Sequence, residues 1–332
     1  MNFGAIATLL LWGVVADRIG ERAVIALGQT GTAAAMLGAA WTHSYAGLVL
    51  ALAVAGGVGA GVNAASGRAV MAWFAADERG LALGIRQMAV PLGGAVAAVV
   101  LPALDTHISL RAAFVGLAVG CGVAAVVGGG LLRAEVATED HTDIGTPLRD
   151  PRIWRICVAS TFYVTTQLAL LGFFVLFLHD RRGVSTTVAA VAFAVTQVLG
   201  GIARIALGRW SDRMRARIVP LRRVALGLAA TVGLVVILLD VSVWIVVPAL
   251  VVAGTFALSW NGLSFTATAE TAGRARSGAA IGLQQTFLSA GSIVAPIAFG
   301  AVVHYLSWRT AFVFAGVSPL IGYALLAPLS ER

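Results

Sequence analysis

The sequence predicts an all-α membrane protein whose helices cross the bilayer many times. Three observations support this prediction. The 332 residues are 59% hydrophobic and only 11% charged, the mean hydropathy is +0.91, and apolar stretches of about 20 residues recur along nearly the whole chain. A soluble domain normally has about one charged residue in four. The composition therefore excludes an ordinary soluble fold.

Charge and cysteine content exclude several functions. All 23 basic residues are arginine and lie mainly in short loops, so the net charge of +8 does not indicate nucleic-acid binding. Cys121 and Cys157 fall within or beside apolar runs, and we expect both to be free thiols. The sequence has no metal-ligand spacing, no nucleotide-binding loop and no nucleophile with a positioned base. It therefore predicts no cofactor, no bound metal and no enzymatic activity.

Apolar runs bounded by charges predict eleven transmembrane helices. A polar segment at 133–152 divides them into five and six, so we expect an N-terminal bundle at 1–132, a linker at 133–152 and a C-terminal bundle at 153–332. The predicted spans are 2–16, 23–42, 47–71, 81–103, 110–132, 154–178, 185–208, 222–240, 243–268, 279–302 and 309–328.

The distribution of arginine predicts the topology. When alternate loops are assigned to opposite sides, 16 arginines lie on one side, and four lie on the other: Arg111, Arg181, Arg182 and Arg309. Arginine-rich loops remain in the cytoplasm, so we expect the linker and the C-terminus to be cytoplasmic. The three other arginines lie within apolar spans: Arg68, Arg86 and Arg204.

Short motifs recur in the two halves of the chain. GVVADR at 13–18 recurs as GRWSDR 195 positions later, while RGLALGIRQ at 79–87 and RAAFV at 111–115 recur as SGAAIGLQQ and RTAFV, both 198 positions later. Three matches in the same order indicate an internal repeat. Two parallel halves of six helices are the plan of a large class of transporters. The first half has only five spans, so we expect that the sequence begins inside the second helix of a twelve-helix plan.

The segment GVVADRIGER at 13–22 resembles the loop signature between the second and third helices of the major facilitator superfamily (MFS), and GRWSDRMRAR at 208–217 is similar to its second-half copy. This resemblance implies the MFS fold, two pseudo-symmetric helical bundles, in the inner membrane of a bacterium. It also implies a cytoplasmic gate, in which glycines allow close helix packing and charges hold the gate closed. Solvated charges that only set topology are the alternative. The matching residues are Gly13, Asp17, Arg18, Gly20, Arg22, Gly208, Asp212 and Arg213.

Polar residues inside the predicted spans are candidates for a substrate cavity, because hydrogen-bonding side chains avoid lipid and turn towards protein or water. The helices that carry them line the cavity in MFS transporters. The candidates are Asn63, Arg86, Gln87, Tyr163, Gln167, Gln197, Trp260, Asn261, Gln284 and Gln285.

Arg86 is the most informative of these candidates. As a cavity cation it would attract an anionic substrate, with glutamines as hydrogen-bond partners; the alternative is that it extends to the cytoplasmic surface. For Arg204 we favour a gating or surface-seeking role. Trp260 and Asn261 either bind a small organic molecule or pack between helices.

We therefore expect a secondary active transporter that moves a small solute, favouring an organic anion, by alternating access. Its partners are the solute, membrane lipid and a coupling ion, for which the proton is the first expectation. Two alternatives stay open: a multidrug-type efflux transporter, and a truncated MFS-like membrane protein that does not transport. No acidic residue lies in the middle of a predicted span, and this counts against proton-coupled drug export.

Overall fold

The computed structural model describes residues 2–131 and 149–329, and almost all of them are helical. Numbered in chain order, the α-helices are α1 Asn2–Ile19, α2 Glu21–Trp41, α3 Tyr45–Gly59, α4 Gly61–Trp73, α5 Arg79–Gln87, α6 Ala89–His107, α7 Leu110–Leu131, α8 Pro151–Leu176, α9 Thr186–Met214, α10 Ile218–Leu238, α11 Val243–Ser259, α12 Asn261–Ala272, α13 Ser277–Tyr305 and α14 Trp308–Leu326. A π-helix, Phe177–Arg181, extends α8, and a 3₁₀-helix, Arg274–Arg276, precedes α13.

Nine segments of the described chain are long and apolar enough to cross a membrane. They correspond to nine of the eleven predicted spans, and α1 and α5–α6 occupy the other two. The prediction of an all-α membrane protein is therefore confirmed. The predicted linker at 133–152 lies largely outside the described residues.

Three predicted spans are each interrupted by one residue, which the sequence analysis did not anticipate. The interruptions are at Ala60, Met88 and Trp260. The interruption at Met88 follows from the proline at position 91. Pro91 has no N–H to donate to the carbonyl of Gln87, four residues earlier, and its ring crowds that carbonyl. Helix α5 therefore ends at Gln87 with a backbone acceptor that needs another donor.

The helices pack into two compact units. The first unit comprises Met1–Phe74, Leu92–Ile153 and Thr268–Ser289, and the second comprises Ala75–Pro91, Trp154–Ala267 and Ala290–Arg332. Two segments, 75–91 and 268–289, thus pack with residues from the opposite half of the sequence. The predicted bundles at 1–132 and 153–332 stay a prediction.

In the first unit, α2 packs against α3, α4 and α7, and α1 packs against α3 and α4. Small side chains allow this close approach, because Ala16 and Ala65 are fully buried at the contact with Val24. Thr8 Oγ1 and Trp12 Nε1 both donate to the carbonyl of Gly57, at 2.6 and 2.8 Å. These bonds fix α1 beside α3, just before the interruption at Ala60.

In the second unit, α9 packs against α5 and α11, and α10 packs against α11 and α14. Its core contains a group of aromatic rings. Phe312 lies 5.1 Å from Phe177 and 5.7 Å from Phe299, both edge-to-face. This packing holds the ends of α8, α13 and α14 together and leaves the polar face of α9 for the site described below.

Candidate functional site

The aspartate of the first GxxxDR motif caps the start of α13. Asp17 accepts hydrogen bonds from the backbone N–H groups of Gly278 and Ala279, at 3.0 and 2.8 Å. The approach depends on glycine, because a Cβ on Gly13 would lie 2.5 Å from the carbonyl oxygen of Gly278. A carboxylate at a helix N-terminus satisfies free N–H groups and interacts favourably with the helix dipole. We call this contact the first carboxylate cap.

Two further charged residues complete the first carboxylate cap. Arg68, on α4, contacts Asp17 with its Nε at 3.3 Å and also pairs with Glu21. All three residues are at most 7% exposed. Because buried charges need partners, the arginine and the two carboxylates form one unit. Sequence analysis placed Arg68 inside an apolar span but gave it no role.

The second motif forms an equivalent contact in the second unit. Asp212 accepts from the N–H groups of Gly80 and Leu81, at 2.9 and 2.7 Å, and so caps the start of α5. A Cβ on Gly208 would lie 2.2 Å from the carbonyl oxygen of Gly80. Arg217 donates to Asp212 at 2.6 Å. We call this contact the second carboxylate cap.

The remaining motif residues lie beside the caps. Arg18 and Arg213 are exposed, and the described partners of the two cap aspartates are Arg68 and Arg217 instead. A gate role for Arg18 and Arg213 therefore stays a prediction. Gly20 has a φ of 84° between α1 and α2, a conformation that favours glycine. The other motif residue, Arg22, donates to the carbonyl of Gly129 on α7.

A buried arginine on α9 joins two helix interruptions. Arg204 is 4% exposed. Its Nε donates to the carbonyl of Leu258 at 2.6 Å, one residue before the end of α11, and its Nη1 donates to the carbonyl of Gln87 at 2.5 Å. The second acceptor is the carbonyl that Pro91 leaves without its helical partner. The arginine therefore satisfies backbone groups that helix ends expose inside the membrane.

Helix α9 consequently holds both ends of α5. Asp212 contacts the N-terminus of α5 and Arg204 its C-terminus. Arg204 and Asp212 are eight positions apart on α9, which corresponds to about 12 Å along the helix axis, close to the roughly 10 Å between Gly80 and Gln87. Each charge has the sign that the α5 dipole favours at that end. Gly84 allows this contact, because a Cβ there would lie 2.7 Å from the carbonyl oxygen of Arg204.

Four predicted cavity residues lie around Arg204. Arg86 donates to the side chain of Gln87 at 3.0 Å, and its guanidinium lies 5.9 Å from the ring centre of Phe265. Asn261 donates to Gln167 at 3.0 Å and, at 3.4 Å, to the Leu258 carbonyl that also accepts from Arg204. We call these five residues the polar network: Arg86, Gln87, Gln167, Arg204 and Asn261.

Trp260 and Tyr163 form an aromatic pair beside the polar network. Their rings are 5.6 Å apart and edge-to-face, and both side chains are nearly fully buried. The indole Nε1 and the phenol oxygen have no hydrogen-bond partner among the described residues. The side-chain oxygen of Gln197 is buried and unpartnered in the same sense.

The other three predicted cavity residues belong to the first unit. Gln284 is fully buried in α13, whereas Asn63 and Gln285 are partly exposed. Their substrate contacts stay a prediction.

Sequence reasoning missed the anchoring role of Arg204 and the roles of Arg68 and Arg217. A signal existed for Arg204, because a proline four residues after Gln87 predicts a helix end that requires a donor. No comparable signal identifies Arg217, which is one of six arginines between positions 209 and 223.

Comparisons with known proteins agree with this architecture. The family model described as Major Facilitator Superfamily matches residues 1–296. Uncharacterised MFS-type transporters from two strains of Mycobacterium tuberculosis are 34% identical over 330 residues, which is 98% of this chain and 74% of each relative. The human organic anion transporter TETRAN has a TM-score of 0.79 at 16% identity, covering 98% of this chain and 81% of its own. The E. coli fucose:proton symporter FucP has a TM-score of 0.79 at 15% identity, covering 100% and 90%. The chain belongs to the Major Facilitator Superfamily and is an integral membrane transporter.

Proposed function

We propose that this protein is a secondary active transporter that moves a small organic anion by alternating access. The membrane is the bacterial inner membrane, and the linker and the C-terminus face the cytoplasm, as the arginine distribution favours. A solute or ion gradient, with the proton as the first candidate, drives transport.

The polar network is the observation that supports an anionic substrate. It contains two guanidinium groups, and the described contacts of Arg204 are two carbonyl oxygens and no carboxylate. Placing an arginine near the bilayer centre costs about 2.5–3.5 kcal/mol on insertion scales. Carbonyl dipoles offset part of this cost, and a bound carboxylate would supply the missing negative charge.

The two carboxylate caps support alternating access. Asp17 and Asp212 lie at repeat-equivalent positions, and each caps a helix start from the opposite half of the sequence. Hydrogen bonds between a carboxylate and backbone N–H groups form and break without a covalent step. The caps are therefore contacts that can form in one conformation and break in another, as a rocking mechanism requires.

Efflux of amphipathic compounds is the second candidate. The buried pair of Tyr163 and Trp260 favours it, because aromatic faces bind large apolar solutes and their polar atoms offer hydrogen bonds. Removing the charge of Arg204 distinguishes the two candidates. It should weaken uptake of an anion bound at the polar network, but it should not weaken uptake of an amphipathic cation bound at the aromatic pair.

A transport assay tests the proposal. The parent and Arg204→Gln are reconstituted in proteoliposomes, and uptake of labelled carboxylates, neutral sugars and amphipathic cations is measured with and without a proton gradient. We expect uptake of at least one carboxylate, with a KM raised tenfold or more in Arg204→Gln. Arg209→Gln, an exposed arginine on the same helix, is the matched control and should behave as the parent.

Each result has a defined meaning. Uptake of amphipathic cations that survives in Arg204→Gln supports the efflux alternative. If none of the solutes is transported in either direction by the parent, the non-transporting alternative replaces the proposal.

A further inference from the structure

A charged cavity lies in the second unit, away from the polar network. It has a volume of about 440 Å³ and lies where the π-helix, the end of α10 and the start of α14 meet. Its lining combines apolar side chains, including Phe177 and Trp308, with three charged ones, Arg181, Asp240 and Arg309. Both arginines are on the arginine-poor side of the predicted topology.

The charges at this cavity are not balanced. Asp240 accepts from Arg309 at 2.7 Å and from Arg181 at 3.4 Å, so one carboxylate is shared by two guanidinium groups. A guanidinium has five N–H donors, and each arginine has one described hydrogen bond. The neighbouring residues Asp180 and Arg182 cancel each other in charge, so the net charge is +1.

The local backbone places Arg181 at the cavity. The chain from Phe177 to Arg181 is a π-helix, a rare element found often at functional sites. The ring of His179 is 3.0 Å from the carbonyl of Val184, which fixes the turn that follows. Arg182 donates to the carbonyl of Val241, beside Asp240. The cationic rim is therefore attached to two helix ends.

The apolar wall is equally well fixed. The rings of Phe177 and Trp308 are 5.2 Å apart in an edge-to-face contact, and Phe177 is 1% exposed. A cavity with an aromatic wall and a cationic rim fits a ligand that carries both an apolar part and an anionic group.

We propose that this cavity binds a small amphipathic anion, with its carboxylate or phosphate between Arg181 and Arg309 and its apolar part against the half-buried Trp308 and Val303. The anionic group is that of a free organic acid or of a lipid headgroup. This inference does not depend on the proposed transport function.

Binding measurements on the purified protein in neutral detergent test the inference. Two probes separate the two sources: benzoate represents a free organic acid, and dioctanoyl phosphatidylglycerol represents an anionic lipid. Titration calorimetry gives the Kd of each probe for the parent and its variants. The probe that binds identifies the source.

Two variants of the cavity should change the Kd in opposite directions. Asp240→Asn removes the competing carboxylate and should lower the Kd of the bound probe about fivefold, the effect of one charge about 4 Å away in water. Arg309→Gln should raise the Kd by a similar factor. Arg111→Gln, an arginine on the same predicted side that lies over the ring of Trp41, is the control and should change nothing.

Two results would overturn the inference. One is that neither probe binds to the parent or to Asp240→Asn. The other is that Asp240→Asn weakens binding as Arg309→Gln does and lowers the Tm, since Asp240 would then act only as a clamp between helices. Arg204→Gln separates the two sites, because probe binding that survives in it does not come from the polar network.

Discussion

Arg204→Leu isolates the role of the buried arginine on α9. The repeat offset of 195 aligns Arg204 with Leu9, so the variant has at this position the residue that the first half already has. In both halves the backbone carbonyl at this position contacts a glycine of the capped helix: Gly84 contacts Arg204, and Gly282 contacts Leu9. The substitution therefore changes only the side chain. The close approach of the backbone carbonyl to a glycine, which occurs in both halves, is retained.

The expected effect on stability is small. The variant loses two hydrogen bonds from a charged donor, each contributing about 1.5–3 kcal/mol. It also removes the roughly 2.5–3.5 kcal/mol cost of an arginine in the membrane interior. The difference lies between a gain of about 0.5 and a loss of about 3.5 kcal/mol, and the midpoints give a loss of about 1.5 kcal/mol. The carbonyl of Leu258 keeps its bond from Asn261, whereas no other donor to the carbonyl of Gln87 is described.

The expected effect on transport is large, because the ends of α5 and α11 lose their common anchor. We expect the KM of the transported carboxylate to rise at least tenfold while the Tm falls by only a few degrees. Arg204→Lys keeps the charge but cannot reach both carbonyls with the fixed geometry of a guanidinium, so it should be intermediate. Uptake kinetics in proteoliposomes and thermal unfolding in detergent measure the two effects. Parent-like uptake by Arg204→Leu, or equal losses with leucine and lysine, would show that transport does not depend on the bonds of Arg204 to the two carbonyls.

Three further predictions concern the caps and the cysteines. Asp212→Asn leaves the buried Arg217 without its carboxylate and should destabilise the protein by about 3 kcal/mol, measured as a lower Tm; a Tm equal to that of the parent would contradict the second carboxylate cap. Gly208→Ala forces α9 away from α5 and should cost about 1–3 kcal/mol, whereas Gly233→Ala, where a Cβ meets nothing within 4 Å, is the control. A hydrophilic maleimide should label neither cysteine in the folded protein and both after denaturation, because Cys157 is fully buried and Cys121 lies at the centre of the transmembrane helix α7, and mass spectrometry distinguishes the two sites.

Much of the fold was predictable because two of its determinants can be read from consecutive residues. The bilayer thickness sets the length of each apolar run, and the charges of the loops set the topology. Apolar length predicts the spans, and the repeat identifies Gly13, Asp17, Gly208 and Asp212, which the structure places in two equivalent contacts. These features are local, so the residues that carry them are close in sequence. The family that these motifs resemble is confirmed.

The partners of the cap aspartates were not predictable, because they depend on contacts between distant segments. Arg68 comes from α4, 51 positions after Asp17, and the repeat offset of 198 aligns it with Thr266. Arg217 is aligned with Arg22, which contacts the carbonyl of Gly129 instead. The repeat therefore copies the carboxylate and the glycine of each cap but not the pairing of the carboxylate with an arginine.

This difference has a consequence for how the protein evolves. If both caps used the same repeat-copied arginine, one ancestral change would have altered them together. Here a substitution at Arg68 acts on the first carboxylate cap, and a substitution at Arg217 acts on the second. Each half of the duplicated chain thus has one arginine that sets the strength of one cap independently of the other. Selection can change the strength of one cap through a single codon, without a compensating change in the other half.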